Sequence, residues 1–323
     1  MEAEIIIMDN EENQKAEALR WFREELLPSY NGNMSRACAE VDISAKTMKA
    51  LLAGEYKGNV RGMVGKLAEA RAALAPRLAV ASLDLDCVRT GIMERIHAVC
   101  DAAKVCHMLN YVAGRSQMGK TTALTAYAER WPETTVYFRM PTRPTVAAML
   151  YELLEACGLP TDGTPAAAMR RARRHLTKKH LVIVDEAHAA LYRRDGVDCL
   201  DCLRELFDNC GCGMVLAVTD EGARDIVRGA HAVRLLQVEK RGEWTILPEN
   251  PKNVDLRAIW EAYGLGEPSR DVQQEIGAMV RASCLGQFCR RLKVALLEAR
   301  AKGCALTWED FSKVAARMGR RPQ

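Results

Sequence analysis

The chain has 323 residues, 49% of them hydrophobic, which is enough for two or three domains with sizeable cores. Its 46 Lys and Arg nearly balance 42 Asp and Glu, so a net charge of +4 does not by itself mark a nucleic-acid-binding protein. No apolar run approaches the roughly 20 residues that span a bilayer. The N-terminus, Met1-Glu2-Ala3-Glu4 before Ile5-Ile6-Ile7, lacks the basic start and long apolar stretch of a secretory signal. A soluble intracellular protein is expected, with its 12 Cys kept as reduced thiols.

Residues 1–15 are expected to fray. From Ala16 to Leu27 the apolar positions Ala18, Leu19, Phe22 and Leu26 recur at helical spacing. Pro28 to Asn33 is a turn cluster. Ser35 is placed as the cap of a short helix to Glu40, and Val41-Asp42-Ile43 as a tight turn. Ser44 then caps a second short helix, Ala45 to Leu52, ended by Gly54. Two short helices joined so tightly form a helix-turn-helix pattern. Lys46, Thr47 and Lys49 would be exposed on its second, groove-entering helix, and Tyr56, Lys57, Asn59 and Arg61 follow where phosphates could be met. The plainer reading is a small helical bundle. A further helix runs from Arg61 to about Ala75, and Pro76 begins a linker.

Asp84 to Ala103 reads as an amphipathic helix, and Val105 to Val112 as a buried strand. Gly114-Arg115-Ser116-Gln117-Met118-Gly119-Lys120-Thr121 then fits G-x-x-x-x-G-K-[ST]. Glycines let the backbone curl until successive N–H groups face one anion, and the helix that begins there, with Thr122 in its first turn, adds its positive end. Lys120 can reach the outer phosphates of a nucleotide and the Thr121 hydroxyl can ligate Mg²⁺. The helix stops at Trp131-Pro132. Thr134 to Met140 is the second strand, followed by a stiff basic loop, Pro141 to Thr145. Val146 to Cys157 and Ala166 to Leu176 are helices, the second carrying Arg170, Arg171, Arg173 and Arg174.

Leu181-Val182-Ile183-Val184-Asp185-Glu186 is an apolar run ending in two acids, a Walker B strand. It would place Asp185 on Mg²⁺ and Glu186 near an attacking water. His188 reads first as a residue at the next helix start, and second as a coupling between nucleotide and DNA. Val197 to Asn209 is a helix, and Met214 to Val218 a strand ending at Thr219. Cys199, Cys202, Cys210 and Cys212 have zinc-like spacing, but their positions on a helix and at a core strand favour buried thiols. Strands alternating with helices imply a parallel sheet with crossover helices. Residues 250–320 are helical, with breaks at Gly264 to Pro268, Gly286 and Gly303.

With these motifs placed, Thr219 resembles the sensor-1 position of AAA+ ATPases, and the whole layout resembles the phage Mu B-like target-DNA activators of transposition. The resemblance rests on the order of three parts: the helix-turn-helix at Ser35 to Asn59, the core segments Gly114 to Thr121, Leu181 to Glu186 and Gly213 to Thr219, then a small helical lid. It implies an α/β fold, an AAA+ P-loop core with a parallel sheet, preceded by an all-α domain and followed by the lid. The expected domains are 1–76, 84–248 and 249–323.

It further implies catalytic roles for Lys120, Glu186, Thr219 and a trans-acting arginine, Arg234 or Arg241. The nucleotide would be held by Gly114 to Thr122, Asp185 and a sensor-2 arginine, Arg290 or Arg291, and Mg²⁺ by Thr121 and Asp185. Candidate DNA contacts are Arg143 and Thr145, then Arg170 and Arg171. The implied activity is Mg²⁺-dependent ATP hydrolysis, stimulated by DNA and oligomerisation. The implied partners are double-stranded DNA, further copies of the chain and a DDE-type transposase, in a bacterial host cytoplasm and with no membrane. The alternatives are a helix-turn-helix regulator with an ATPase switch, a helicase-loader or secretion-type ATPase, and a non-hydrolysing scaffold.

Overall fold

The structure, a computed structural model, describes residues 2–30, 33–81, 87–193 and 196–318, the side chains of residues 2–11 and 75–81 excepted. The chain divides into two compact units, Met1–Leu85 with Lys293–Asp310, and Asp86–Leu292 with Phe311–Gln323.

In the first unit α1 (Glu2–Trp21) runs through a π-helical turn, Phe22–Leu26, into a single turn α2 (Leu27–Ser29). The segment expected to fray is therefore helical from Glu2. Helix α3 (Met34–Glu40) is capped by Asn33, whose side chain accepts from the Arg36 N–H at 3.1 Å. Asn33 displaces Ser35 from that role because the helix begins one residue before Ser35. Helix α4 (Ala45–Leu52) starts as expected at Ser44, whose Oγ accepts from the Thr47 N–H at 3.1 Å. The turn between them holds Asp42 in a left-handed conformation, φ +50°, and Lys66 bonds both its carboxylate and its carbonyl. Trp21, Phe22, Leu26, Cys38, Met48 and Leu67 form the core of this unit. Helix α5 (Val60–Ala81) continues through Pro76, where a linker was expected. A proline removes one N–H donor and crowds the preceding turn, and a 22-residue helix absorbs that single loss.

In the second unit α6 (Gly91–Cys106) is capped by Thr90 and begins seven residues after the expected start; Asp84 to Asp86 lie outside the described residues. The helix also takes Val105 and Cys106, which the apolar pattern places in a strand, and ends with His107 left-handed at φ +53°. Then follow β1 (Leu109–Ala113), α7 (Lys120–Arg130), β2 (Thr135–Arg139), α8 (Val146–Ala156), α9 (Pro165–His175) and β3 (Leu181–Asp185). A 3₁₀ segment, Ala187–Tyr192, leads to α10 (Val197–Cys210), β4 (Gly213–Val218), α11 (Asp220–Arg228), α12 (Ala232–Glu239) and β5 (Gly242–Ile246). Helices α13 (Asn253–Ala262), α14 (Arg270–Ala301) and α15 (Trp308–Met318) complete the chain.

The five strands form one parallel sheet in the order β2-β3-β4-β1-β5. Strands β1, β3 and β4 are buried along their whole length, as parallel strands covered on both faces must be. This stacks the ends of β1, β3 and β4 side by side, so that the loop after β1, the acids ending β3 and Thr219 after β4 share one edge of the sheet. Strand β5 was not expected from the sequence. It pairs with β1, and the Trp244 ring stacks on Tyr111 at 4.1 Å. Helix α7 is fixed on α6 by His97 Nε2 at 2.8 Å from the Ala123 carbonyl and by the Tyr127 hydroxyl donating to Asp101 at 2.7 Å.

Candidate nucleotide site

The loop between β1 and α7 closes with Gly119 left-handed at φ +88°, and α7 starts at Lys120. The Lys120 side chain is buried and folds back on its own loop, donating to the carbonyls of Gly114 at 2.6 Å and Arg115 at 3.0 Å. Burial lowers its pKa, against Glu186, Asp185 and Asp220, which raise it.

Asp185 ends β3 with no exposed surface. Its Oδ2 accepts from the Thr121 hydroxyl at 2.7 Å and the Tyr137 hydroxyl at 3.2 Å, and its Oδ1 from the Glu186 N–H at 2.9 Å. Thr121 and Asp185 were expected to share a cation, and they meet here. Their hydroxyl and carboxylate oxygens are the hard donors that Mg²⁺ takes, beside a loop shaped for phosphate, so the residues fit that ion. Tyr137 was not foreseen. Its burial and the nearby Asp185 charge push its pKa up.

Glu186 adopts the left-handed conformation, φ +54°. Its carboxylate stands 3.3 Å from His188 Nε2 and 4.0 Å from Arg139. Thr219 caps α11, its Oγ1 accepting from the Gly222 N–H at 3.1 Å, which leaves the hydroxyl proton available to a ligand.

The loop is also joined to α14. Cys284 interrupts that helix with φ +57°, ψ −161°, two residues before the expected break at Gly286. Just beyond it the Gly286 N–H donates to the Gln117 carbonyl at 3.1 Å, and Arg290 donates to Gln117 Oε1 at 2.8 Å. Arg115 bonds the Arg281 carbonyl and Asn250. Arg291 instead bonds Gln287 on its own helix, so of the adjacent pair Arg290 is the one at the phosphate loop. Among the described residues, Gln117, Glu186 and Cys284 are three of the five non-glycine residues with positive φ. Each such conformation costs about 1–3 kcal/mol and persists where surroundings enforce it, commonly at functional sites.

Comparison with known proteins bears on the fold that carries this site. Residues 107–227 match the family AAA_22, an AAA domain. The chain is 26% identical over 249 residues to the Mu-like prophage FluMu DNA transposition protein B of Haemophilus influenzae, covering 73% of this chain and 83% of that protein. The chain carries an AAA+ ATPase core related to that of Mu-like transposition protein B. The solved structure of the Aeropyrum pernix Orc1 protein in complex with DNA is 18% identical with a TM-score of 0.53, covering 70% of this chain. The chain spans 64% of that structure's length, short of two-thirds, and the likeness concerns the fold. That fold is α/β, an AAA+ P-loop core with helical regions before and after it.

Arg234 on α12 pairs with Asp198 and, at 3.1 Å, with Asp201 of α10; Arg241 pairs with Asp208 of the same helix. Lys46, Lys49, Arg143 and Arg170 are exposed. Thr47 bonds Ser44 Oγ at 2.8 Å, Thr145 caps α8, and Arg171 pairs with Asp162. Cys199, Cys202 and Cys212 are buried, and burial raises their thiol pKa values to about 11, about 12 and about 12. They pack as small apolar side chains.

Proposed function

We propose that this chain is an ATP-dependent, largely sequence-nonspecific DNA-binding ATPase that selects target DNA and delivers it to a DDE-type transposase of a Mu-like element. The observation that carries the reading is the Thr121–Asp185–Glu186 cluster against the phosphate loop, in a chain similar along most of its length to a protein named for DNA transposition.

In this reading the backbone N–H groups from Gly114 to Thr122 receive the phosphates, and Lys120 leaves the Gly114 and Arg115 carbonyls to reach them. Thr121 and Asp185 hold Mg²⁺, which neutralises charge on the phosphates when bound. Glu186 takes the proton of a water whose oxygen bonds to the γ-phosphorus as the bond to the ADP oxygen breaks, giving ADP and phosphate. The Thr219 hydroxyl and Arg290 read the γ-phosphate. Arg234 of a neighbouring copy completes the site, so hydrolysis depends on assembly. Arg143 and Thr145, with Arg170 and Arg171, line the DNA in the assembled protein, and Lys46, Thr47 and Lys49 of the helix-turn-helix make a second contact. The expected domains are 1–76 for that module, 84–248 for the ATPase and 249–323 for the lid, and the setting is the bacterial cytoplasm.

The test is binding to random-sequence duplexes with ATP, ADP or no nucleotide, beside Lys120→Ala, read as affinity and as particle length by electron microscopy. ATP-dependent filaments on any duplex, lost in the variant, are expected. Nucleotide-independent binding at one defined site would instead favour a helix-turn-helix regulator, a reading kept open by the exposed Lys46 and Lys49 on α4.

A further inference from the structure

We propose that His188 is the positioning residue for the Glu186 carboxylate and ties that carboxylate to the first turn of α11. The inference rests on the reading of Glu186 as the group that activates water.

His188 is buried, with its Nε2 at 3.3 Å from Glu186 Oε2, while its buried Nδ1 meets no hydrogen-bond partner among the described residues. An imidazole with one bonded and one bare nitrogen is best satisfied as the neutral Nε2–H tautomer, donating to the carboxylate. The surroundings agree. Burial lowers the His188 pKa, and Lys120 and Arg139 lower it further, against Glu186 and Asp185, which raise it. A neutral donor orients a carboxylate without adding a full positive charge that would oppose proton uptake. Arg139, at 4.0 Å, flanks the same carboxylate from the end of β2.

The imidazole is itself held. The Tyr192 ring meets it edge-on at 5.8 Å and 90°. On the α11 side there is no room for a side chain at Gly222, where an added Cβ would lie 2.3 Å from His188 Cβ and 2.9 Å from its Cγ. Gly222 is also the donor to Thr219 Oγ1. A continuous chain of contacts thus runs from Glu186 through His188 and Gly222 to Thr219. It links the group placed for water to the group placed for the γ-phosphate, through a buried imidazole.

The experiment uses the full chain with ATP, Mg²⁺ and duplex DNA, and measures kcat, KM and binding of a fluorescent ATP analogue. The variants are His188→Ala, His188→Gln, Gly222→Ala, Glu186→Gln and the double variant His188→Ala with Glu186→Gln. His188→Ala should lower kcat about 10- to 100-fold with KM changed less than about threefold, the signature of an interaction that matters in the transition state. His188→Gln, which keeps a donor at the same reach, should recover most of the rate. Gly222→Ala, which displaces the imidazole without removing it, should lower kcat while nucleotide still binds. The double variant should be no slower than Glu186→Gln alone. A normal kcat in both His188→Ala and Gly222→Ala, or a fully multiplicative loss in the double variant, overturns the inference alone. Wild-type hydrolysis by Glu186→Gln overturns the reading of Glu186 and the inference with it.

Discussion

Replacing Gly286 by alanine tests the junction between the phosphate loop and α14, because the outcome depends on a residue 169 positions earlier. Alanine in a helix is normally favoured over glycine by about 1 kcal/mol. At Gly286 the new Cβ would lie 2.5 Å from Gln117 Oε1, 2.8 Å from its Cβ and 3.1 Å from its Cδ. Forced contacts of that kind cost about 1–3 kcal/mol, so the substitution should be neutral to destabilising by up to about 2 kcal/mol. The Gly286 N–H bond to the Gln117 carbonyl survives, so the loss is purely steric. Glycine at 117 accepts the left-handed φ of +64° and removes these three crowding atoms. In the Gln117→Gly background the same Gly286→Ala change should therefore become stabilising by about 1 kcal/mol. Urea denaturation of the four proteins, followed by far-UV circular dichroism, gives the comparison. An equal effect of Gly286→Ala in both backgrounds would refute the contact.

Arg234→Ala should lose hydrolysis at concentrations where the protein is assembled, and mixing it with Glu186→Gln should restore part of it. One protein supplies the intact water-activating group and the other the intact arginine; mixed pairs as inactive as the parents would point to Arg241. Substituting Lys46, Lys49 or Arg170 by alanine should lower the slope of log affinity against log salt by about 1 for each phosphate left without its cation, without changing sequence preference. An unchanged slope removes that residue from the DNA surface. Stability should fall as pH drops through the ordinary histidine range. His180 and His188 have pKa values lowered in the folded protein, each chiefly by burial, so the unfolded chain binds protons first and gains on acidification. Urea midpoints measured from pH 7.5 to 5.5 should fall less in His180→Gln and His188→Gln than in the parent.

The elements that the sequence revealed best are those whose chemistry is local. The phosphate loop announces itself because its glycines, Lys120 and Thr121 act through the backbone of eight consecutive residues, and β3 because a strand buried on both faces must be apolar throughout. Strand β5 was hidden for the opposite reason. Gly242 to Ile246 is short, half-exposed and at the sheet edge, and its place is decided by a distant partner, Tyr111. The choice between Arg290 and Arg291 was closed to sequence reasoning because neighbours on a helix point about 100° apart, and only the position of Gln117 says which way is inward. Tyr137 carried no motif; it reaches Asp185 because β2 lies beside β3. The start of α6 was misplaced because an amphipathic pattern outlasts the helix where Cys87, Val88 and Thr90 just before it are also half-buried.

The ammonium of Lys120 already rests on two carbonyl oxygens of its own loop. In the function proposed above, phosphate arrival is a substitution at that nitrogen, one set of oxygen partners traded for another, and its net favourability is a difference between two similar quantities. The reverse trade is correspondingly easy. When a phosphate leaves, Gly114 and Arg115 take the ammonium back, and no bare charge is stranded in a buried place. A site arranged in this way gives up some grip on the spent nucleotide and gains the ability to let it go, the property a molecule needs if it is to bind, release and bind again.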